Sequence, residues 1–450
     1  MLQIINNLVK KSKAVEQGLW LMFGIGSSQG IRLAGNLILT RLLAPEAFGV
    51  MALASAVILA FGMLSDVGIR NSVIKSDRTH EASFMETVWT LQLFRGIILA
   101  ALIWCMAWPV ANFYDEPILI PVLIVFSLSL IIHGAKSVAL YLYDKQLNLK
   151  TQILVDTGAQ LTGTICMIVW AYFFPSIWAL VAGAILSASI SLVTSYTLFQ
   201  GHYSKINFDR VSINEILSFG KWIFISSMVG YIALHGDKLI MGNWMTMGQL
   251  GVYSIAIVFG SLISMIAAKF SGRLLDALFK QHIDKKDFSS IKMVRYRLNA
   301  AYLSACLILA WFGDLIIELL YDDRYIEAGW MLQLLSLRSA AFCFNTTLTP
   351  FLLASGDSFS QMKYQIVSTT GIVIGMIFGA QFGILGLLLA YCVVPIFSHL
   401  YMAYLARQHG FHCLRADFLF LSAYVILSLL GWTALDSAIL TELVLFISPT

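Results

Sequence analysis

A dozen apolar runs, each about 20 residues long and separated by short polar connections, constrain this chain more than any other feature. A helix rises about 1.5 Å per residue, so a run of that length spans the roughly 30 Å hydrocarbon layer of a bilayer. Inside hydrocarbon the backbone must satisfy its own hydrogen bonds, and a helix does so within one segment. Composition agrees: hydrophobic residues make up 59% of the chain and charged residues 12%, with a mean hydropathy of +0.80. Soluble domains carry roughly 25% charged residues, so a water-soluble globule is excluded. The expected fold class is an all-α polytopic membrane protein of 12–14 transmembrane helices.

The runs predict helices near 18–43, 47–69, 84–111, 118–140, 152–174, 176–199, 218–242, 248–270, 297–320, 329–354, 361–382 and 384–406. A further apolar stretch, 416–447, is interrupted at Asp436. It accommodates a thirteenth helix and a short fourteenth, since the last run is too short to span. Basic residues set the orientation. With the N-terminus cytoplasmic, the inside segments collect twenty-one Lys and Arg residues, seven of them between Arg273 and Arg297, whereas the outside loops hold only Arg41 and Arg324. The alternation survives every loop, which one miscounted helix would destroy. The opening MLQIINNLVKKSKAVEQ reads as a retained amphipathic lead-in, because no cleavage site follows a short apolar core. The six cysteines form no CxxC or Cys/His spacing and read as small packing residues with no disulfide or zinc role.

An internal repeat organises the chain. LILTRLLAPEAFGVMALA (37–54) aligns without gaps to LIMGNWMTMGQLGVYSIA (239–256), an offset of 202 residues that places helices 1–2 on helices 7–8. Six helices per copy is an even number, so both copies enter the membrane in the same orientation. That predicts two six-helix lobes, residues 1–200 and 201–410, related by a pseudo-two-fold axis along the membrane normal, with 411–450 as an added segment.

TRLLAPEAFGVMALA, then FGMLSDVGIRNSVIKSD (61–77), and Asp237 with LIMG and LGVYSIA (250–256) carry a family likeness. Here the sequence resembles the polysaccharide transport (Wzx-type flippase) family of the multidrug/oligosaccharidyl-lipid/polysaccharide exporter superfamily. The resemblance covers helices 1–12. It implies a transporter that flips undecaprenyl pyrophosphate-linked glycans across the bacterial inner membrane for O-antigen, exopolysaccharide or capsule synthesis. It also implies membrane lipid as surroundings, with polymerase and chain-length proteins as partners.

Charges within the predicted spans point to an anionic cargo without naming the sugar. Ionisable groups at membrane depth face a watery cavity or a partner. Arg32, Arg95 and Arg338 lie deepest, and Arg grips pyrophosphate oxygens in pairs. Lys136, Lys238, Lys269 and His235 complete the substrate-binding candidates, with Lys136 and Lys269 close enough to helix ends to snorkel. His133 is a further group that titrates near neutrality. Asp237, Asp156, Asp66 and Asp314 are the candidates for coupling to a proton or sodium gradient; Asp237–Lys238 reads equally as a local pair. No phosphate-cradling Gly-rich loop followed by Lys and Ser/Thr is present, so ATP hydrolysis within this chain is not expected. An ion-coupled multidrug exporter of the same superfamily is the alternative, and a membrane glycan polymerase a more distant one. A polymerase would need a sizeable loop carrying acids or histidines, and only DDRYIE (322–327) clusters acids outside. No enzyme activity, cofactor or metal is expected. The basic residues follow the membrane bias, so nucleic-acid binding is not expected either, and a monomer is the default.

Overall fold

The structure is a computed structural model that describes residues 2–65, 68–145, 149–199, 201, 203–282, 288–435 and 437–447. Side chains are described from Leu19 onward except at 64, 144, 149, 217–226 and 445–447. Among the described residues every regular element is helical: α1 (Leu2–Leu42), α2 (Pro45–Leu64), α3 (Ile69–Lys75), α4 (Ala82–Phe113), α5 (Leu119–Gly134), α6 (Ala139–Lys145), α7 (Leu149–Phe173), α8 (Ile177–Thr197), α9 (Arg210–Trp244), α10 (Met247–His282), α11 (Ser289–Leu320), α12 (Ala328–Ala354), α13 (Ser358–Gly379), α14 (Gly383–Gln408), α15 (Leu414–Ala434) and α16 (Ala438–Ile447). Thirteen of these have at least 16 residues, and among the described residues eight segments are long and apolar enough to cross a membrane, one of them, Ser358–Gln408, running through both α13 and α14. Large apolar side chains stand exposed along them, including Trp108 at 66%, Phe173 at 68% and Leu319 at 77%. In a polytopic membrane protein such side chains meet lipid, where exposure costs nothing.

Several boundaries differ from the sequence expectation: α2 ends at Leu64 and not 69, α9 begins at Arg210 and not 218, and α10 and α11 extend to His282 and from Ser289 where the expected ends are 270 and 297. The lead-in and the first span form one continuous helix, α1. The expected helix 118–140 divides at Gly134, and the reason lies in its neighbours. A helix end leaves carbonyls without intrahelical partners. Here Gln92 Nε2 donates to Gly134 O at 2.9 Å and to His133 O at 3.3 Å. The Tyr196 hydroxyl and the Trp89 indole donate to Ala135 O at 2.7 and 3.3 Å. Side chains from α4 and α8 therefore replace the helical bonds that the break removes.

The chain divides into two compact units. Unit 1 comprises Met1–Leu43 and Leu53–Tyr231, and unit 2 comprises Ala44–Ala52 and Ile232–Thr450. In unit 1, α1 packs on α7, α7 on α8, α8 on α5 and α5 on α4. The α4–α5 crossing has no room for side chains: a Cβ on Gly96 would lie 2.6 Å from Leu130 O, and one on Gly134 would lie 2.9 Å from Gln92 O. The segment leading into α9 is laid against α4, with Asn207 N–H bonding Thr90 Oγ1 at 3.0 Å and Asp209 N–H bonding Thr87 Oγ1 at 3.2 Å. Arg78 clamps the same region through Glu81 at 2.7 Å and through Asp209 and Glu215 at 3.4 Å. The Glu81 hydrogen bond leads in holding the Arg78 guanidinium above its ordinary pKa.

Unit 2 is built round α12, which is buried along most of its length and packs on α10, α11, α13, α14, α15 and α16. It ends in a Schellman turn: Gly356 takes φ 78°, its N–H bonds Leu353 O at 3.2 Å, and Asp357 N–H bonds Leu352 O at 3.1 Å. Asp357 then caps α13 by accepting from Ser360 N–H at 2.9 Å. The end of α14 repeats the device at Gly410, φ 87°. The α14 C-cap His409 bonds Asp357 at 2.7 Å, tying the two turns together.

The repeated segments meet within unit 2. A Cβ on Gly49 would lie 1.8 Å from Met247 O, and a Cβ on Gly251 would lie 1.9 Å from Pro45 O. Gly49 and Gly251 are repeat partners, as are Pro45 and Met247. A contact in which residue i touches j and j's counterpart touches i's is the mark of a local two-fold. Both glycines are required because carbonyl oxygens occupy the space where a methyl group would stand.

Candidate functional site

The buried charges gather first in unit 2. Asp237, on α9, is 3% exposed, and its Oδ2 accepts a short hydrogen bond from the Tyr253 hydroxyl of α10. Arg338 projects from the middle of α12, and its guanidinium carbon lies 4.3 Å from the centre of the Tyr391 ring on α14. That stacking satisfies the face of the guanidinium, while Nε is left without a hydrogen-bond partner. Asp237, Tyr253 and Tyr391 all act electrostatically on Arg338. Yet Asp237 and Arg338 form no ion pair within 4 Å among the described residues, and both Asp237 Oδ1 and Arg338 Nε are buried without a hydrogen-bond partner. An unsatisfied buried polar group costs about 1–3 kcal/mol. Asp237 Oδ1 thus stands as an open acceptor and Arg338 Nε as an open donor in one cluster.

The other unit 2 candidates lie around or away from this cluster. His235 and Lys238 are partly exposed on α9 and share the electrostatic environment of Asp237. Lys269 is exposed on α10 beside Arg273. Asp314 accepts from Ala438 N–H at 3.2 Å, so its carboxylate sits at the start of α16, where the helix dipole favours negative charge.

In unit 1 the candidates divide similarly. Lys136 is half-buried beyond the end of α5, with Asp156 of α7 and His133 in electrostatic range. Arg95 closes the end of α2 by donating to Gly62 O at 2.5 Å and Ser65 Oγ at 2.9 Å. Arg32 is exposed on α1, one turn beyond Ser28, whose hydroxyl and carbonyl both bond Gln160 of α7 at 2.6 and 3.0 Å. Asp66 lies outside the described residues.

Sequence reasoning missed the one ion pair between acidic and basic side chains, histidine aside, that is fully buried on both sides among the described residues. Arg295 of α11 and Asp417 of α15 are both fully buried and joined through two bonds of 2.7 and 2.8 Å. Arg295 Nε donates to Thr347 Oγ1 at 3.0 Å. His399 of α14 lies 3.1 Å from Asp417 Oδ2 through Nε2 and 2.8 Å from Asn345 Oδ1 through Nδ1. Counting basic residues by position assigned Arg295 to an inside loop. The available signal was a histidine inside the apolar run 384–406 and an aspartate opening the next one.

A family model described as polysaccharide biosynthesis protein matches residues 38–329. Among curated relatives, the lipopolysaccharide biosynthesis protein WzxC of Escherichia coli (strain K12) is 22% identical over 403 residues, covering 86% of this chain and 80% of that protein. The succinoglycan biosynthesis transport protein ExoT of Rhizobium meliloti (strain 1021) is 21% identical, covering 79% of this chain and 72% of its own. Among solved structures, the lipid II flippase MurJ in an inward closed conformation superposes with a TM-score of 0.67 at 13% identity. That alignment covers 96% of this chain and 100% of the other, and establishes a shared fold. Together with the helical architecture, these matches mean that the chain is a multi-pass membrane protein belonging to the polysaccharide biosynthesis protein family.

Proposed function

We propose that this protein flips lipid-linked oligosaccharide repeat units, carried on undecaprenyl pyrophosphate, across the bacterial inner membrane, with its N-terminus in the cytoplasm. The observation that carries the reading is Arg338. It is a guanidinium held in the middle of a buried membrane helix by an aromatic ring, with a donor edge left open and no carboxylate bonded to it. A fixed, poorly hydrated cation of this kind suits a pyrophosphate, which offers several acceptor oxygens and binds Arg bidentately. Asp237 is assigned to ion coupling, since occupancy of its free oxygen by a cation or proton alters the charge beside Arg338. The names of WzxC and ExoT support a surface-polysaccharide cargo. The protein works as a monomer beside polymerase and chain-length proteins, and no catalytic step is assigned to it.

The test is the lipid-linked oligosaccharide pool in cells lacking the protein, complemented with wild type, Arg338→Lys or Arg338→Ala. Complete repeat units should accumulate on the cytoplasmic leaflet. Wild type should clear them and Arg338→Ala should not, with Arg338→Lys in between because it keeps charge but loses the planar fork. An unchanged pool accompanied by greater sensitivity to toxic cations would replace this reading with the multidrug exporter.

A further inference from the structure

We infer that His399 is a buried proton-binding site, with Asn345 as the group that accommodates both of its protonation states. The geometry is restrictive. The His399 ring is fully buried and held edge-on by Phe344, 5.4 Å between ring centres. Its two nitrogens each face a polar atom. A carboxylate oxygen can only accept, so Nε2, facing Asp417, carries hydrogen in either state. Nδ1 faces the side-chain amide of Asn345, and an amide presents an acceptor oxygen or a donor NH2 group at the same place by turning over. With the oxygen inward, Nδ1 carries a proton and the ring is an imidazolium. With the NH2 inward, Nδ1 is bare and the ring is neutral. Either way both ring nitrogens are hydrogen bonded, so the change of state strands neither of them. Amide and hydroxyl side chains offer this, whereas a hydrophobic or carboxylate neighbour would favour one state.

The charge around the ring is balanced for such a change. Asp417 of α15 and Arg295 of α11 are the charged groups acting on His399. They neutralise each other, so the cluster carries no net charge with His399 neutral and one positive charge with it protonated. From α12 come Asn345, Phe344 and Thr347, all uncharged. Tyr296 of α11 and Cys413, just ahead of α15, complete the titratable groups near Arg295 and Asp417, with Lys292 of α11 acting on Cys413. Among the described residues α13 and α16 add no charge to the ring. Protonation makes His399 a second cation on Asp417 and so changes how tightly α15 is held to α11 and α14. If the protein is the flippase proposed above, this is where a proton enters its cycle; the site itself does not depend on that reading.

The experiment is NMR of the imidazole nitrogens in the full chain, labelled with 15N-histidine and held in lipid nanodiscs, from about pH 5 to pH 9. The His399 signal is the one lost in His399→Gln. Nε2 should stay protonated throughout while Nδ1 titrates. Asn345→Asp, which presents acceptors only and a negative charge, should move the midpoint up by about 1–3 pH units. If His399→Gln does not fold, the signal that moves in Asn345→Asp identifies the ring instead. An Nδ1 that never titrates in this range, a bare Nε2, or a midpoint indifferent to Asn345→Asp would each overturn the inference. None of these readouts involves a glycan, so a failed transport assay leaves them unaffected.

Discussion

Asp417→Asn should release α15 from its unit while leaving the shape of the side chain almost unchanged. The wild-type carboxylate accepts three bonds, two from Arg295 and one from His399, with no solvent access to any partner. An asparagine accepts at one atom only and turns its NH2 group toward a donor. The Arg295 charge is then buried with only neutral partners, the Thr347 hydroxyl and at most one amide oxygen, and no counter-charge. Removing one member of a buried ion pair costs about 3–5 kcal/mol. Cys413 reports the consequence, because it is 2% exposed and its carbonyl accepts from the Asp417 N–H at 3.0 Å. In a chain where Cys413 is the sole cysteine, its labelling rate tracks the fraction of molecules in which this corner is open. At about 1.4 kcal/mol per factor of ten, labelling should accelerate by roughly two to three and a half powers of ten. Replacing both partners, Arg295→Met with Asp417→Leu, should return the rate to near wild type, since apolar replacement of a whole buried pair is often neutral or stabilising by about 1–4 kcal/mol. Acceleration below tenfold in Asp417→Asn, or a double variant that labels as fast as the single one, would refute the argument that this pair holds α15.

Gly251→Ala places a methyl group 1.9 Å from Pro45 O, a backbone atom that cannot rotate away. Thermal unfolding should show a loss of about 1–3 kcal/mol, and Gly49→Ala should do the same if the contact is as reciprocal as it stands. Wild-type stability that survives both changes would contradict it. The Asp357 carboxyl is held down at about 2, chiefly by Ser360 and then by the His409 ring. Its folded pKa is below the unfolded value of about 3.9, so its contribution is present in full above that value and is lost as pH falls through about 2. The unfolding temperatures of wild type and Asp357→Asn should therefore differ near neutrality and converge between about pH 4 and pH 2; a constant gap would show that the carboxylate charge plays no part.

Where the helices run was readable from the chain because the bilayer imposes one length on every spanning segment. The predicted ends at 43, 174, 320, 354 and 406 fall within two residues of the observed 42, 173, 320, 354 and 408, whereas the end predicted at 270 lies twelve residues short of His282. The repeat was readable because both copies must present the same glycine where two backbones cross. Asp237 and Arg338 were identifiable individually, since an ionisable group in an apolar run stands out. What could not be read was their relation to each other, or the separate tasks of Arg95 at the end of α2 and Asp314 at the start of α16. Periodicity says which segment a residue is on, whereas a partner depends on which helices pack and how each is rotated. The break after Gly134 has the same origin: α5 continues in apolar character, and it is Gln92, Trp89 and Tyr196 from other helices that make stopping affordable. Arg295 shows the limit most plainly. By position it belongs with the cytoplasmic lysines and arginines, yet packing of α11, α12, α14 and α15 encloses it completely, and only that enclosure gives Asp417, His399 and Asn345 their roles.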